Sequence, residues 1–240
     1  MKLGVLIINR NHIKYTVDLV HQLGLQTSQD FELTIVDNGS SERSTTSLLN
    51  GLRLPCIKKI EYTGRNLSLH TLWNQFVLNN NYTYYSFLNN DMVIPRNFVS
   101  DTLEVFSREP SVGCVAHATN HPSYQVCGPL MYETFSDSYR QGWDFTMRRE
   151  AYSPVPRSLQ FFCGDDYLYE KLYQKGWKFA IVTSSPIIHF QGATPRVPGI
   201  SARDIAEYKK LGFKHGRLDV CFKLSNFKPT FSKIVEDIRL

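Results

Sequence analysis

Apolar runs and helical segments alternate along the early part of this chain, and every apolar run stops at a polar cluster. The candidate strands are Leu3 to Ile8, Phe31 to Val36, Ile57 to Tyr62 and Tyr84 to Leu88, of which the first and the last are apolar runs. Unbroken apolar strands need cover on both faces, whereas alternation with polar residues would mark a face open to water. Between the runs, Val17, Val20 and Leu23 recur at helical spacing ahead of Gly24, which fits a helix end. Ser40 or Ser41 can cap a second helix running toward Gly51, and Ser68 a third through Leu72, Phe76 and Val77. Strands that alternate with helices pair in parallel. The pattern therefore predicts an α/β fold: a Rossmann-like, mainly parallel central sheet with helices on both faces.

Further on, the alternation loosens. Pro95 is placed to start a helix over about 96–107, and Val112 to Ala116 makes a fifth strand. His121 to Arg140 is rich in Tyr, Ser, Pro and Gly and reads as a long loop, as does Tyr152 to Arg157. Phe145 to Arg148 reads as a short strand returning to the sheet. Asp165 can cap a helix whose Leu168 and Leu172 share a face and which Gly176 ends. Lys178 to Val182 is a further strand, His189 lies in a Gly/Pro-rich stretch, and a helix near Ala202 to Leu211 precedes a basic, aromatic tail. The expected organisation is one domain over residues 1–212, with a tail over 213–240 packed on it or extending from it.

At 240 residues the chain can bury a full core, and its 42% hydrophobic and 13% aromatic content excludes a disordered protein. A net charge of +5 suits polyanionic ligands such as nucleotides, yet is too small to argue for a stable nucleic-acid partner. No apolar stretch reaches membrane-spanning length. The opening residues begin like a secretory leader, but Asn9, Arg10, Asn11 and His12 interrupt them, so they read as a first strand. The cysteines at 56, 114, 127, 163 and 221 form no CxxC pair. Reduced thiols in a cytoplasmic protein are the simplest account.

The polar strand ends carry the chemistry. Open α/β sheets bind ligands at the carboxyl ends of their strands. Asn89-Asn90-Asp91 ends the fourth run with two amides and a carboxylate, hard oxygen donors of the kind that hold Mg2+ or Mn2+ against a diphosphate. Asp37 ends the second run, where it can accept from a base N–H or a ribose hydroxyl, or simply form an Asx-turn. Asn9 and Arg10 end the first and Asn66 follows the third, so four polar ends share one edge. No GxGxxG or Walker A sequence accompanies them, which argues against a dinucleotide or P-loop cradle. Gly164-Asp165-Asp166 opens a helix, whose dipole keeps an acid ionised as a general base requires; an N-cap role is the simpler alternative. His189 is placed to complete a metal site with Asp91, and Trp143 to stack on a sugar face; either can equally be structural.

Together these residues resemble the family 2 glycosyltransferases of the GT-A fold, over roughly Lys2 to Gln191. Val36-Asp37-Asn38-Gly39-Ser40-Ser41 looks like that family's nucleotide-binding strand end. Asn66 through Asn74 looks like its middle section, and Leu88-Asn89-Asn90-Asp91 like its DXD-type metal motif. Phe145 to Glu150 is similar to the strand before the acceptor loop, and Gly164-Asp165-Asp166 with Leu168, Leu172 and Gly176 to the ED-type base and its helix. The resemblance implies inverting transfer of a sugar from a UDP-, dTDP- or GDP-sugar to a hydroxyl of a glycan or other acceptor. It implies Mn2+ or Mg2+ on the diphosphate, held by Asp91 with His189. Asn9, Arg10, Asp37, Asn38, Asn66, Asn89 and Asn90 would line the donor, Trp143 would face the acceptor, and Asp165, with Asp166 second, would be the base. Two positions depart from the motifs: Asn89 stands at the first DXD position, and Gly164 replaces the usual ED glutamate.

Two other functions fit an α/β nucleotide fold. A sugar-phosphate nucleotidyltransferase is expected to show a Gly-rich basic loop after the first strand, which is absent here. A non-catalytic nucleotide-sugar or glycan-binding module would not need the acid pair. The tail interleaves Lys209, Lys210, Lys214, Arg217, Lys223, Lys228 and Lys233 with Phe213, Phe222, Phe227 and Phe231. It is either a solvated face with a docked apolar stripe or a peripheral contact to a polyanionic acceptor or membrane.

Overall fold

The computed structural model describes residues 2–119, 130–133, 141–190 and 199–213. Most of the expected loop over 121–140 and nearly all of the basic tail lie outside the described residues. The strands are β1 (Leu3–Asn9), β2 (Phe31–Asp37), β3 (Ile57–Tyr62), β4 (Tyr84–Leu88), β5 (Met92–Val93), β6 (Val112–Thr119), β7 (Leu130–Glu133), β8 (Asp144–Arg148) and β9 (Lys178–His189). The helices are α1 (Ile13–Gly24), α2 (Thr45–Gly51), α3 (Leu69–Leu78), α4 (Phe98–Arg108), α5 (Gly164–Gln174) and α6 (Ile200–Lys210).

The strands form one sheet in the order β3-β2-β1-β4-β8-β6-β9-β5, with β7 also paired to β9. β3, β2, β1 and β4 are mutually parallel. β8 enters antiparallel between β4 and β6, and β9 then runs parallel to β6. Six strands therefore share one direction and β5, β7 and β8 oppose it, a mostly parallel sheet as expected. The reversal at β8 brings the chain back toward the same edge. In β1, Asn9 pairs with Asp37, and Ile7 pairs with Leu88 just before the Asn89-Asn90-Asp91 cluster. Leu88 in turn pairs with Asp144.

Both faces of the central strands are buried, which is why β1 and β4 are apolar without alternation, whereas the edge strand β3 is charged and partly exposed. Leu3, Val5 and Ile7 of β1 join Leu19, Val20 and Leu23 of α1 and Phe98 and Phe106 of α4 in one core. Leu6 points the other way, into a core with Trp73 and Phe76 of α3 and Leu168, Tyr169 and Leu172 of α5. Each such fully buried side chain contributes about 1.5–3 kcal/mol.

Several helix starts differ from the sequence reading. α2 begins at Thr45 after Ser44, and α4 at Phe98 after Asn97, because Ser40 and Pro95 belong to tighter local structure. The Ser40 side chain is spent on Asp37, and the Pro95 carbonyl accepts from Gln26. Ser68 does cap α3, its hydroxyl accepting from the Thr71 N–H at 3.3 Å. β9 runs on to His189, which is a strand end and not part of a loop. Phe213, where the expected tail begins, stacks on Tyr208 of α6 and meets Tyr167 of α5 edge-on.

Candidate active site

The polar ends of β1, β2 and β4 are bound to one another. Asn9 is fully buried; its Nδ2 donates to Asp37 Oδ1 at 2.8 Å and to Ser40 Oγ at 3.0 Å. Asp37 also accepts from the Ser40 hydroxyl and, at 3.3 Å, from the Ser40 N–H. On the other side, the Thr16 hydroxyl donates to Asn9 Oδ1 at 2.7 Å, and Asn90 Nδ2 donates to Thr16 Oγ1 at 3.0 Å. Asn9, Asp37 and Asn90 are thus one network, linked by Ser40, which the sequence offers as a helix cap, and by Thr16, which the sequence reading did not pick out.

Asn38 ties a second pair of elements. Its Nδ2 donates to Asn66 Oδ1 at 3.1 Å and to the Leu67 carbonyl at 2.9 Å, and its Oδ1 accepts from the Leu67 N–H at 2.8 Å. Buried and fully engaged, it fixes the β3–α3 turn against the end of β2. Gly39 lies against this turn with φ 70°, and a Cβ there would collide with the Arg65 backbone. Arg10 and Asn66 are exposed at the rim.

A second cluster forms where β4 and β9 end and β8 begins. Asp91 is buried, and its Oδ1 lies 3.2 Å from His189 Nε2. Trp143 stacks on the His189 ring, with centroids 5.0 Å apart and planes 15° from parallel. The Asn89 N–H donates to the Trp143 carbonyl at 2.8 Å, and the Phe190 N–H to the Asp91 carbonyl at 2.9 Å. Beside Trp143, the Asp165 carboxylate lies directly against Gly142, where any Cβ would collide with it. The expected metal pair, the expected acceptor platform and the expected base are therefore contiguous.

Asp165 does not cap α5, as its sequence position implied. Cys163 occupies the N-cap with φ 61°, Gly164 opens the helix, and both acids lie in its first turn. Gly164 is required by packing, since a Cβ there would collide with the His70 imidazole. Burial, and then the carboxylates of Asp166, Asp165 and Asp204, push the Cys163 thiol well up, so it is inert. Burial also depresses His70 to about 4, against the opposing pull of the Leu159 carbonyl and Asp204.

Other buried polar residues were missed. Asp144, fully buried at the start of β8, accepts from the His117 N–H at 2.9 Å and lies 3.3 Å from His117 Nδ1. An acid opening an otherwise apolar strand is the signal that could have found it. Asp204 on α6 is the other; it shares an inward face with Tyr208 one turn on.

Asp91 and His189 bring together a carboxylate oxygen and an imidazole nitrogen, donor types that could hold Mn2+ or Mg2+. Among the described residues no group of three or more metal-ligating side chains occurs. A cation held here would take its remaining ligands from substrate oxygens and water, as diphosphate-bound cations do. No helix among the described residues is long and apolar enough to cross a membrane.

Comparison with known proteins fits this geometry. The family described as "Glycosyl transferase family 2" matches residues 4–163. No curated protein sequence matches the chain. Among solved structures, TarS 1-349 of S. aureus superposes with a TM-score of 0.64 at 14% identity, over 79% of this chain and 60% of that one. GalNAc-T7 with UDP, GalNAc and Mn2+ gives 0.61 at 16% identity, over 88% of this chain and 48% of that one. The mannosyltransferase PcManGT from Pyrobaculum calidifontis, in complex with GDP-Man and Mn2+, gives 0.60 at 16%, over 79% and 58%. At these identities the likeness is one of fold, the GT-A fold, and this chain spans about half to three-fifths of each of those chains.

Proposed function

The chain belongs to glycosyl transferase family 2, and from that premise we propose an inverting transfer of a sugar from a nucleotide diphosphate donor to an acceptor hydroxyl. The observation that carries this reading is the meeting of the Asp91–His189 pair with Asp165 across Trp143 and Gly142 at one end of the sheet. Neighbours of the same fold are complexes with UDP, UDP-GlcNAc or GDP-Man, two of the nucleotide complexes with Mn2+, which supports a nucleotide-sugar donor and a divalent cation.

In this reading the Asn9–Asp37–Ser40 network fixes the floor under the nucleotide, with Arg10 and Asn66 at its rim. Asp91 and His189 would hold Mn2+ or Mg2+, with Asn89 and Asn90 beside them. Bound there, a divalent cation would neutralise the charge developing on the leaving diphosphate. Trp143 presents a ring on which an acceptor sugar can stack. Asp165 takes the proton of the acceptor hydroxyl as its oxygen bonds to the anomeric carbon, on the face opposite the departing diphosphate. Both acids lie in the first turn of α5, the end of a helix at which negative charge is best accommodated. Residues 1–212 would form the transferase domain, and the basic residues beyond it a contact to a polyanionic acceptor or membrane.

A panel of nucleotide sugars with Mn2+ or Mg2+ tests the reading, scored by donor-dependent thermal shift and slow donor hydrolysis. The expected result is a metal-dependent shift with at least one sugar, and hydrolysis that Asp165→Ala abolishes while the shift persists. A binding module would show the shift without hydrolysis, and no shift with any donor would overturn the proposal.

A further inference from the structure

The loop that delivers the acid pair is held from outside the family-matched segment. Asp204, on α6, has no exposed surface, and one of its oxygens, Oδ2, accepts three consecutive backbone N–H groups. These are Gln160 at 3.0 Å, Phe161 at 2.7 Å and Phe162 at 3.0 Å. Its other oxygen accepts from Arg203 Nη2 at 2.9 Å. The family match ends at residue 163, immediately after this loop.

Three successive amides can converge on one atom only if the backbone curls around it, and an anion holds them more strongly than a neutral acceptor. The opposite side of the loop is fixed by α3. The Ser68 hydroxyl donates to the Gln160 carbonyl at 2.8 Å, and the His70 ring fills the space beside Gly164. Between these two grips the chain enters α5 through Cys163 in the left-handed region, a conformation unfavourable for a non-glycine residue. That turn sets the direction of α5's first turn and brings the Asp165 carboxylate against Gly142.

We propose that Asp204 is a positioning residue for the base: its carboxylate shapes loop 160–162 so that Asp165 is presented beside Trp143. The inference rests on the proposed function, and α6 becomes part of the catalytic apparatus without touching substrate. Asparagine at 204 keeps the size of the side chain but loses the charge, and its amide N–H groups would face either the loop amides or Arg203, all donors.

The test is a double-mutant cycle on the full chain, with kcat and KM measured on a donor that the wild type turns over. Asp204→Asn is expected to lower kcat by on the order of ten- to a hundredfold, because small displacements of a reacting group are that costly. Donor KM should stay within about twofold, and in an Asp165→Asn background the same change should cost less than about twofold. Hydrogen exchange at the amides of 160–162 should speed up in Asp204→Asn. If that variant does not accumulate in folded form, Asp204→Glu, which keeps the charge and displaces it by one methylene, should give the same kcat-selective, non-additive loss. Wild-type turnover with an unchanged kcat in the variant, or an equal loss in both backgrounds, overturns the positioning role while leaving the proposed function standing. A wild type inert toward every donor overturns both.

Discussion

Asp37 and Asp165 stand at the same edge of the sheet, and they are held in different ways. Asp37 is fixed by its own surroundings: Asn9 on the adjacent strand and Ser40 three residues on engage its oxygens. Asp165 is placed by residues remote in sequence, Gly142 beneath its carboxylate and Asp204 behind the loop that precedes it. A recognition floor gains from being rigid and internally satisfied. A base must present oxygen to substrate, and shape bears on its position, through Gly142 on one side and the preceding loop on the other. In the proposed function the first region binds the donor and the second takes the proton, and each role can be broken separately.

The largest effect is expected at the base. Asp165→Asn should lower transfer by about a thousandfold, within the range spanned by positioned general bases. The donor-dependent thermal shift should remain, since the Asn9–Asp37 network is untouched. Steady-state kinetics beside a melting curve read both quantities, and an active variant would move the role to Asp166.

Acid should next act on the second region through His70. Burial holds folded His70 at about 4, below its ordinary 6.5. As pH falls below 6.5 the unfolded chain takes up a proton that the folded one refuses, so stability declines until pH reaches about 4 and then levels. The loss sums to roughly 3 kcal/mol. His70→Leu should flatten the urea midpoint between pH 7 and 4.5. Asp204 adds a lower window: its loop amides and Arg203 hold it below the usual carboxylate range, against the cost of burial. Its contribution is present above the unfolded value of 3.8 and is lost as pH falls through the folded one, so His70→Leu should leave that final loss in place.

The parallel half of the sheet was legible in the sequence because each signal there is local. The β4 bounds are legible as an apolar run, those of β3 from its place in the strand-helix alternation, and the Ser68 cap from a hydroxyl before a helical period. The ends of β1, β2 and β4 fall at one edge because parallel strands in register must put them there. The second half was less legible because its determinants are long-range. Nothing adjacent to Gly164 announces that His70 fills the space beside it, or that Asp204 gathers the amides of residues 160–162. β9 was read too short because Ser184, Ser185 and Pro186 interrupt its apolar pattern, yet pairing with β6 and β5 carries the strand on to His189. Asp204 had a signal of its own, an acid on the inward face of an amphipathic helix, but its partner could come only from the fold.

Breaking the first region should cost stability as well as binding. Asp37→Ala leaves the buried Asn9 amide and the Ser40 N–H without their carboxylate, at about 1–3 kcal/mol for the stranded donors. In a domain of this size about 2 kcal/mol lowers Tm by about 4–8 °C. Donor affinity should weaken in parallel, whereas a loss of Tm with unchanged donor affinity would reduce Asp37 to a structural tie.

Gly142→Ala sharpens the comparison most finely, because it should act on Asp165 alone. The added methyl meets the end of a flexible side chain, not backbone, so the carboxylate swings aside and the fold stays. Stability should stay within about 0.5 kcal/mol of the wild type, as for most substitutions away from core and caps. The displacement should cost about tenfold in kcat, with donor affinity unchanged. In an Asp165→Asn background the same alanine should cost nothing further, since the group it displaces has already lost its function. A kcat loss that persists in that background would mean that Gly142 serves the acceptor or Trp143 directly, and the placement of the base by shape would then rest on the loop held by Asp204.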